Sequence, residues 1–412
     1  MNRLKLDRCA LRVSVLATLL AGCGGLQPSI SPPPAMPRSV EMAQGVAPAS
    51  SYGVLLRFLP HDGGQPEAGL LDVDGTLYGT TYYGGINGLG TVFSVTTAGT
   101  KKVLHRFTGL DGEWPYAGLI AVNGTLYGTT HYGGPHNAGI VFSITTTGEE
   151  KVLYGFGNGS QDGTYPVAGL IDVNGTLYGT TYMGGTKNYG TIFSLTTTGI
   201  EKVLYSFRGG SDGSYPAAGL IDVNDALYGT TYEGGSGCAS GCGTVFRVTK
   251  TGKEKVLHRF DASADGAAPS AGLLSVNGTL YGTTVYGGSK CGSTGGCGTV
   301  FSVTTTGKEN VLYSFGGGSD GGYPWAGLVH RSGRLYGTTA YGGANADGTV
   351  FSVTATGEEK VLYSFSGGDA DGENPFAGLI DVKGTLYGTT YYGGNSRCFH
   401  SRGCGIVFAL TP

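Results

Sequence analysis

Seven aspartates recur at near-equal spacing along the chain: Asp62, Asp111, Asp162, Asp212, Asp265, Asp320 and Asp371. Each opens a DGxxP phrase. Seven equivalent carboxylates raise the prospect of calcium, but a calcium site needs several oxygen ligands converging, and each loop offers one. Asp-Gly followed by Pro is turn chemistry, with the carboxylate capping nearby N–H groups. Asp72, Asp172, Asp222 and Asp381 recur in a second phrase and also read as structural. The histidines are irregular. His105 and His258 stand where other copies carry Tyr in one phrase, and His131 does so in another. His136, His330 and His400 fall at loop or surface positions. GxSxG, HExxH, phosphate-loop and dinucleotide fingerprints are absent. The sequence therefore predicts no catalytic residue, no cofactor and no metal site.

Two other residue types break the regularity. The DGxxP loops carry Trp114, Tyr116, Tyr165, Tyr215, Tyr323, Trp325 and Phe376, while other copies have Gln65, Glu67, Ala268 and Ser270. Both tryptophans of the chain are among them. Exposed aromatics beside polar turns suit sugar rings or a protein partner; packing between repeats is the competing role. Six cysteines fall as Cys238 with Cys242, Cys291 with Cys297 and Cys398 with Cys404. Each loop that gains residues gains both cysteines of a pair, which predicts three local disulfides and an oxidising location. Zinc is the alternative, weakened because only His400 offers a nearby imidazole.

These residues are positioned by one repeated unit. The Tyr of LYGTT falls at Tyr78, Tyr127, Tyr178, Tyr228, Tyr281, Tyr336 and Tyr387, at intervals of 49, 51, 50, 53, 55 and 51. A period near 50 marks a propeller or solenoid. Glycine is abundant, 79 of 412 residues, with only 16 prolines and no Gly-X-Y period, so collagen is excluded. Each unit parses into four strands: AGLIDV, TLYGTTYYG, GTVFSVT and KVLYSF. Asn-Gly supplies the first hairpin. The last copy stops at Ile406–Leu410 without a fourth strand. The missing one lies at the other end, Val54–Phe58, followed by Asp62-Gly63 and Pro66. This predicts an all-β, seven-bladed β-propeller of four-stranded antiparallel blades over residues 51–412. Its N-terminal strand closes the last blade and leaves no free edge.

The unit resembles the GloVer repeat, a tandem repeat of bacterial surface proteins with varied membrane or wall anchors. LYGTT, the Gly-Gly after it, GTVF and DGxxP carry the likeness, over residues 52–412. It implies architecture rather than an activity. A looser likeness to kelch blades lies in the period and the paired glycines. The later Trp of kelch is missing, so that family's partners are not implied.

At the N-terminus Arg3, Lys5, Arg8 and Arg12 precede a short apolar stretch, Val13–Leu20, too short to span a bilayer. Leu20-Ala21-Gly22-Cys23 resembles a bacterial lipobox. That implies a lipoprotein signal over 1–22, cleavage before Cys23, acylation of Cys23 and membrane attachment. Gly24 after the cysteine points to the outer membrane. Residues 23–50 read as a disordered, Pro-rich tether. The body left after the signal is mildly acidic with no basic cluster, which argues against nucleic acid. The sequence therefore favours a monomeric, non-catalytic surface module binding a glycan or a protein. The alternative is a propeller enzyme, a polysaccharide lyase or hydrolase, acting at the channel mouth.

Overall fold

Thr, Tyr, Val, Leu and Phe favour extended backbone, and the glycine-rich joints fold it back on itself. The computed structural model describes residues 51–412 apart from 239–240, 292–295, 396–397 and 399–400. Cys23, the signal and tether boundaries and His400 lie outside the described residues. Seven four-stranded antiparallel sheets follow one another. In the first, Leu71–Val73, Thr76–Thr81, Thr91–Thr96 and Lys101–Arg106 run from the inner to the outer strand. The inner hairpin turns on two residues of positive φ, such as Asn174 (54°) and Gly175 (81°). That is the type I′ geometry whose twist matches the flanking strands. Even Asn224-Asp225, without glycine, adopts it at 51° and 61°. Asp72, Asp172 and Asp381 accept from the N–H at the end of this turn, at 2.9–3.0 Å. Their role is structural, as read from the sequence.

The seams between blades explain the most repeated residues. The Phe that follows each outer strand is fully buried and meets a Phe of the next blade edge to face. The seven pairs run from Phe58–Phe93 at 5.0 Å to Phe365–Phe408 at 5.1 Å between ring centroids. In LYGTT the first Thr hydroxyl donates across the seam to a backbone carbonyl of the next blade, as from Thr80 to Ala117 at 3.0 Å. The Gly of LYGTT leaves room for the same aromatic: a Cβ on Gly79 would stand 2.7 Å from Phe93 Cζ.

Ring closure follows the predicted route. Ser51–Arg57 pairs antiparallel with Ile406–Thr411, from Ser51↔Thr411 to Arg57↔Ile406. The bulge between Val54 and Leu56 repeats the one opposite Val92 and Phe93 in the first blade. Thr389 Oγ1 donates to the Ala68 carbonyl at 3.3 Å and so joins the seventh blade to the first. Antiparallel order places the DGxxP loops and the loops after LYGTT on one face. Backbone bridges such as Gly64↔Tyr83 and Glu113↔Tyr132 tie the two loop sets together there.

Candidate functional site

The loop-bearing face has two ranks of side chains, separated by the proline of DGxxP. The residue before the proline has positive φ in every blade, 54–59°, whether it is Gln65, Trp114, Tyr165, Tyr215, Ala268, Tyr323 or Asn374. Its backbone clasps two blades. Trp114, for example, donates to the Leu89 carbonyl at 2.8 Å and accepts from His131 N at 3.0 Å. The clasp fixes the backbone and leaves the side chain free to vary. The residue after the proline is Glu67, Tyr116, Val167, Ala217, Ser270, Trp325 or Phe376. It lies two positions before the glycines that approach one another around the axis, Gly118 against the Gly69 carbonyl among them. These seven side chains crown the loop-side end of the axis.

The seven aromatics singled out from the sequence divide between these ranks. Trp114, Tyr165, Tyr215 and Tyr323 precede the proline; Tyr116, Trp325 and Phe376 follow it. None is fully exposed, which corrects the expectation of exposed rings. Each is half-buried because its neighbours are further aromatics from the loops after LYGTT. Trp114 meets Tyr82 at 5.7 Å, Tyr83 at 5.9 Å and Tyr132 at 5.2 Å. Trp325 stacks on Tyr232 at 6.4 Å and meets Phe376 at 6.1 Å. The small Ala217 and Ser270 occupy the crown positions between them. Tyr215 stacks on Tyr182 at 5.0 Å.

One sector differs chemically from the rest. Glu67 lies beside Tyr116 and Tyr391, and burial pushes its carboxyl up to about 8 against the opposing effect of those phenols. Burial, and after it the neighbouring Glu67, keep the Tyr116 and Tyr391 phenols protonated. His131 is 8% exposed. Burial lowers its pKa to about 4, against the opposing effect of the Pro166 carbonyl, so the imidazole is neutral. Three buried polar atoms of this sector have no hydrogen-bond partner: Gln65 Oε1, Trp114 Nε1 and His131 Nδ1. An unpaired buried polar atom is costly, so their gathering around Glu67 is informative. The sequence exposed Glu67 and His131 only as departures from the aromatic pattern. Tyr82 and Tyr391 were hidden among the many tyrosines.

The DG aspartates accept from local N–H groups: Asp111 from Thr108 N at 2.7 Å, Asp162 from Asn158 N at 2.8 Å and Asp320 from Gly316 N at 2.8 Å. The cysteines pair as predicted, Cys238–Cys242, Cys291–Cys297 and Cys398–Cys404, with Cα–Cα distances of 5.5, 5.4 and 5.2 Å.

Comparison with solved structures returns proteins of unlike names. Virginiamycin B lyase from Staphylococcus aureus is 16% identical, with 88% of this chain and 99% of that one covered and a TM-score of 0.56. A putative 6-phosphogluconolactonase from Bacteroides uniformis is 15% identical, covering 76% and 88%, at 0.49. The PQQ-bound aldose sugar dehydrogenase from Streptomyces coelicolor is 12% identical, covering 88% and 98%, at 0.48. At such identities the likeness shows fold alone. No match is found among curated proteins. The repeat itself is decisive: the Gloeobacter/Verrucomicrobia repeat matches residues 45–187, 158–294 and 236–412, and the chain belongs to that family.

Proposed function

We propose that this propeller is a carbohydrate-binding module of the cell envelope, taking its ligand on the Glu67 sector of the crown. The observation that carries the reading is the set of unpartnered polar atoms among aromatic rings. Trp114 Nε1 is a free donor, Gln65 Oε1 a free acceptor, and His131 Nδ1 a donor or an acceptor according to its tautomer. None of the three is charged at neutral pH. Sugar hydroxyls both donate and accept, and sugar faces stack on aromatic rings. A neutral saccharide therefore satisfies this set better than an ionic ligand. The lipobox-like Leu20-Ala21-Gly22-Cys23 supports attachment to a membrane through an acylated Cys23.

The test is affinity of the full-length protein for neutral polysaccharides, read on a glycan array and by calorimetry. Trp114→Ala and His131→Ala each weaken binding at least about tenfold, the effect of losing 1.4 kcal/mol, with thermal unfolding near that of the wild type. Unchanged affinity in both variants overturns the reading.

A second reading rests on Glu67 itself. A carboxyl raised to about 8 beside Tyr116 is suited to proton transfer, and supports cleavage of a polysaccharide at the same place. Glu67→Gln separates the two readings: cleavage products disappear under the second, while binding persists under the first.

A further inference from the structure

Each seam ends, at the outer rim, in a three-residue contact. One member comes from the outer strand of a blade, one is the DG aspartate, and the third opens the outer strand of the next blade. In three seams the set is Tyr, Asp and Glu, as in Tyr154–Asp162–Glu201, where the phenol donates to Asp162 at 3.0 Å. Where Leu56 replaces the tyrosine, Lys101 replaces the glutamate and pairs with Asp62. Where the glutamate is replaced by Tyr52, its hydroxyl bonds Asp371. These substitutions keep each contact satisfied within the protein.

Two seams follow a different rule. His105 and His258 stand in the tyrosine position, with Nε2 2.9 Å from Asp111 Oδ2 and 2.8 Å from Asp265 Oδ2. An imidazole nitrogen, a carboxylate oxygen of the aspartate and one of the glutamate lie within 4.8 Å of one another in His105–Asp111–Glu150 and again in His258–Asp265–Glu309. The far side of the glutamate is unanswered here as it is in the tyrosine seams: Glu150 Oε1 and Glu309 Oε1, like Glu201 Oε1, Glu254 Oε1 and Glu359 Oε1, are buried without a hydrogen-bond partner. What sets these two seams apart is the imidazole. A phenol in this position can only bridge the carboxyls with one proton. An imidazole brings a lone pair to two anionic oxygens, which is a donor set for a metal.

We propose that each of these trios binds one divalent transition-metal ion of the zinc type, giving two equivalent sites per chain. One imidazole with two carboxylates suits Zn²⁺, and related ions such as Co²⁺ and Mn²⁺, rather than Cu⁺, which prefers sulfur, or Ca²⁺, which prefers oxygen alone. The three residues of each site are half-buried. In each site His and Asp belong to one blade and its loop, and Glu to the next blade. A bound ion therefore staples two blades together, the first to the second and the fourth to the fifth, and stabilises the ring by mass action. This assignment is independent of the sugar-binding reading, because the sites lie at the outer ends of the seams, away from the crown.

The experiment titrates the chelator-stripped, full-length protein with Zn²⁺ against a chromogenic chelator and follows thermal unfolding in parallel. Two ions bind per chain and raise the unfolding temperature. His105→Tyr and His258→Tyr each remove one ion. The double variant binds none and loses the zinc-dependent shift, while its metal-free unfolding matches the wild type. Tyrosine is what the sister seams carry, so these variants keep a fold that the protein already tolerates. The assignment is overturned if the stripped wild type takes up no zinc at micromolar concentration. It is equally overturned if the double variant still binds two ions.

Discussion

Two rings of seven run around this propeller, and they differ in how strictly they repeat. The seam ring has a buried Phe–Phe pair at every position, with centroid distances between 5.0 and 5.3 Å. The crown ring has seven positions and seven different residues, from Glu67 to Phe376. Both are placed by the same backbone. The difference shows that closure is demanded of every blade alike, whereas the crown side chain is released from packing duty by the clasp beside it.

The comparison breaks most visibly at closure. Deleting residues 51–58 removes the strand paired with Ile406–Thr411 and the Phe58 ring, and leaves an open sheet edge. The truncated protein is expected to aggregate in size-exclusion chromatography; a monodisperse, cooperatively folding truncation would sink the ring account. Next comes the contrast between two phenylalanines eleven positions apart. Phe365 is fully buried in a seam, while Phe376 is half-buried in the crown. Phe365→Ala should cost about 3–5 kcal/mol in chemical denaturation. Phe376→Ala should cost about 1 kcal/mol. Equal losses would mean that the crown is part of the core after all.

The two rings were also unequally legible. The seven blades, the strand exchange and the turn role of the aspartates could be read because each depends on residues close in sequence or on a repeated pattern. The closing strand was visible as Val54–Phe58, an outer strand without its blade. The rim trios were not visible, because their members lie about one repeat apart, or 319 positions apart where Tyr52 meets Asp371, and meet only through strand register. Reading the residue six positions before each seam Phe as a column, Lys101, Glu150, Glu201, Glu254, Glu309, Glu359 and Tyr52, would have exposed them. Glu67 was passed over for a related reason: its importance comes from Tyr391, more than 300 residues away, and no local pattern carries that contact.

A smaller effect tests the tyrosine seams. Burial first, and then the facing aspartate, push Glu201, Glu254 and Glu359 up to about 7. The facing groups are Asp162 and Tyr154; Asp212, Tyr205 and Arg259; and Asp320, Tyr313 and Lys290. An unfolded glutamate titrates near 4.3, so the folded state holds more protons between the two values. The resulting stability is complete below about pH 4 and is lost as pH rises through 7. The unfolding temperature should therefore fall between pH 5 and pH 8, and Glu201→Gln/Glu254→Gln/Glu359→Gln should flatten that slope. A triple variant with the wild-type slope would place the pH dependence elsewhere.

The last effect separates anchoring of the loop-bearing face from stability of the ring. Cystines separated by only four or six positions close short loops, and each is worth about 2 kcal/mol by loop entropy. In a protein of this size that amounts to a few degrees of unfolding temperature. Their placement matters more. Cys404, Cys242 and Cys297 each offer a backbone carbonyl to the residue before the proline: Gln65 at 2.8 Å, Ala268 at 2.8 Å and Tyr323 at 2.7 Å. Of these three, only Gln65 contributes an unpartnered atom to the Glu67 sector. Cys398→Ser/Cys404→Ser should therefore weaken saccharide binding severalfold, while Cys238→Ser/Cys242→Ser leaves it unchanged, although both pairs lower the unfolding temperature about equally. If the two double variants bind alike, the bridges stiffen loops without positioning the crown, and the asymmetry of that ring must be maintained by its aromatic contacts alone.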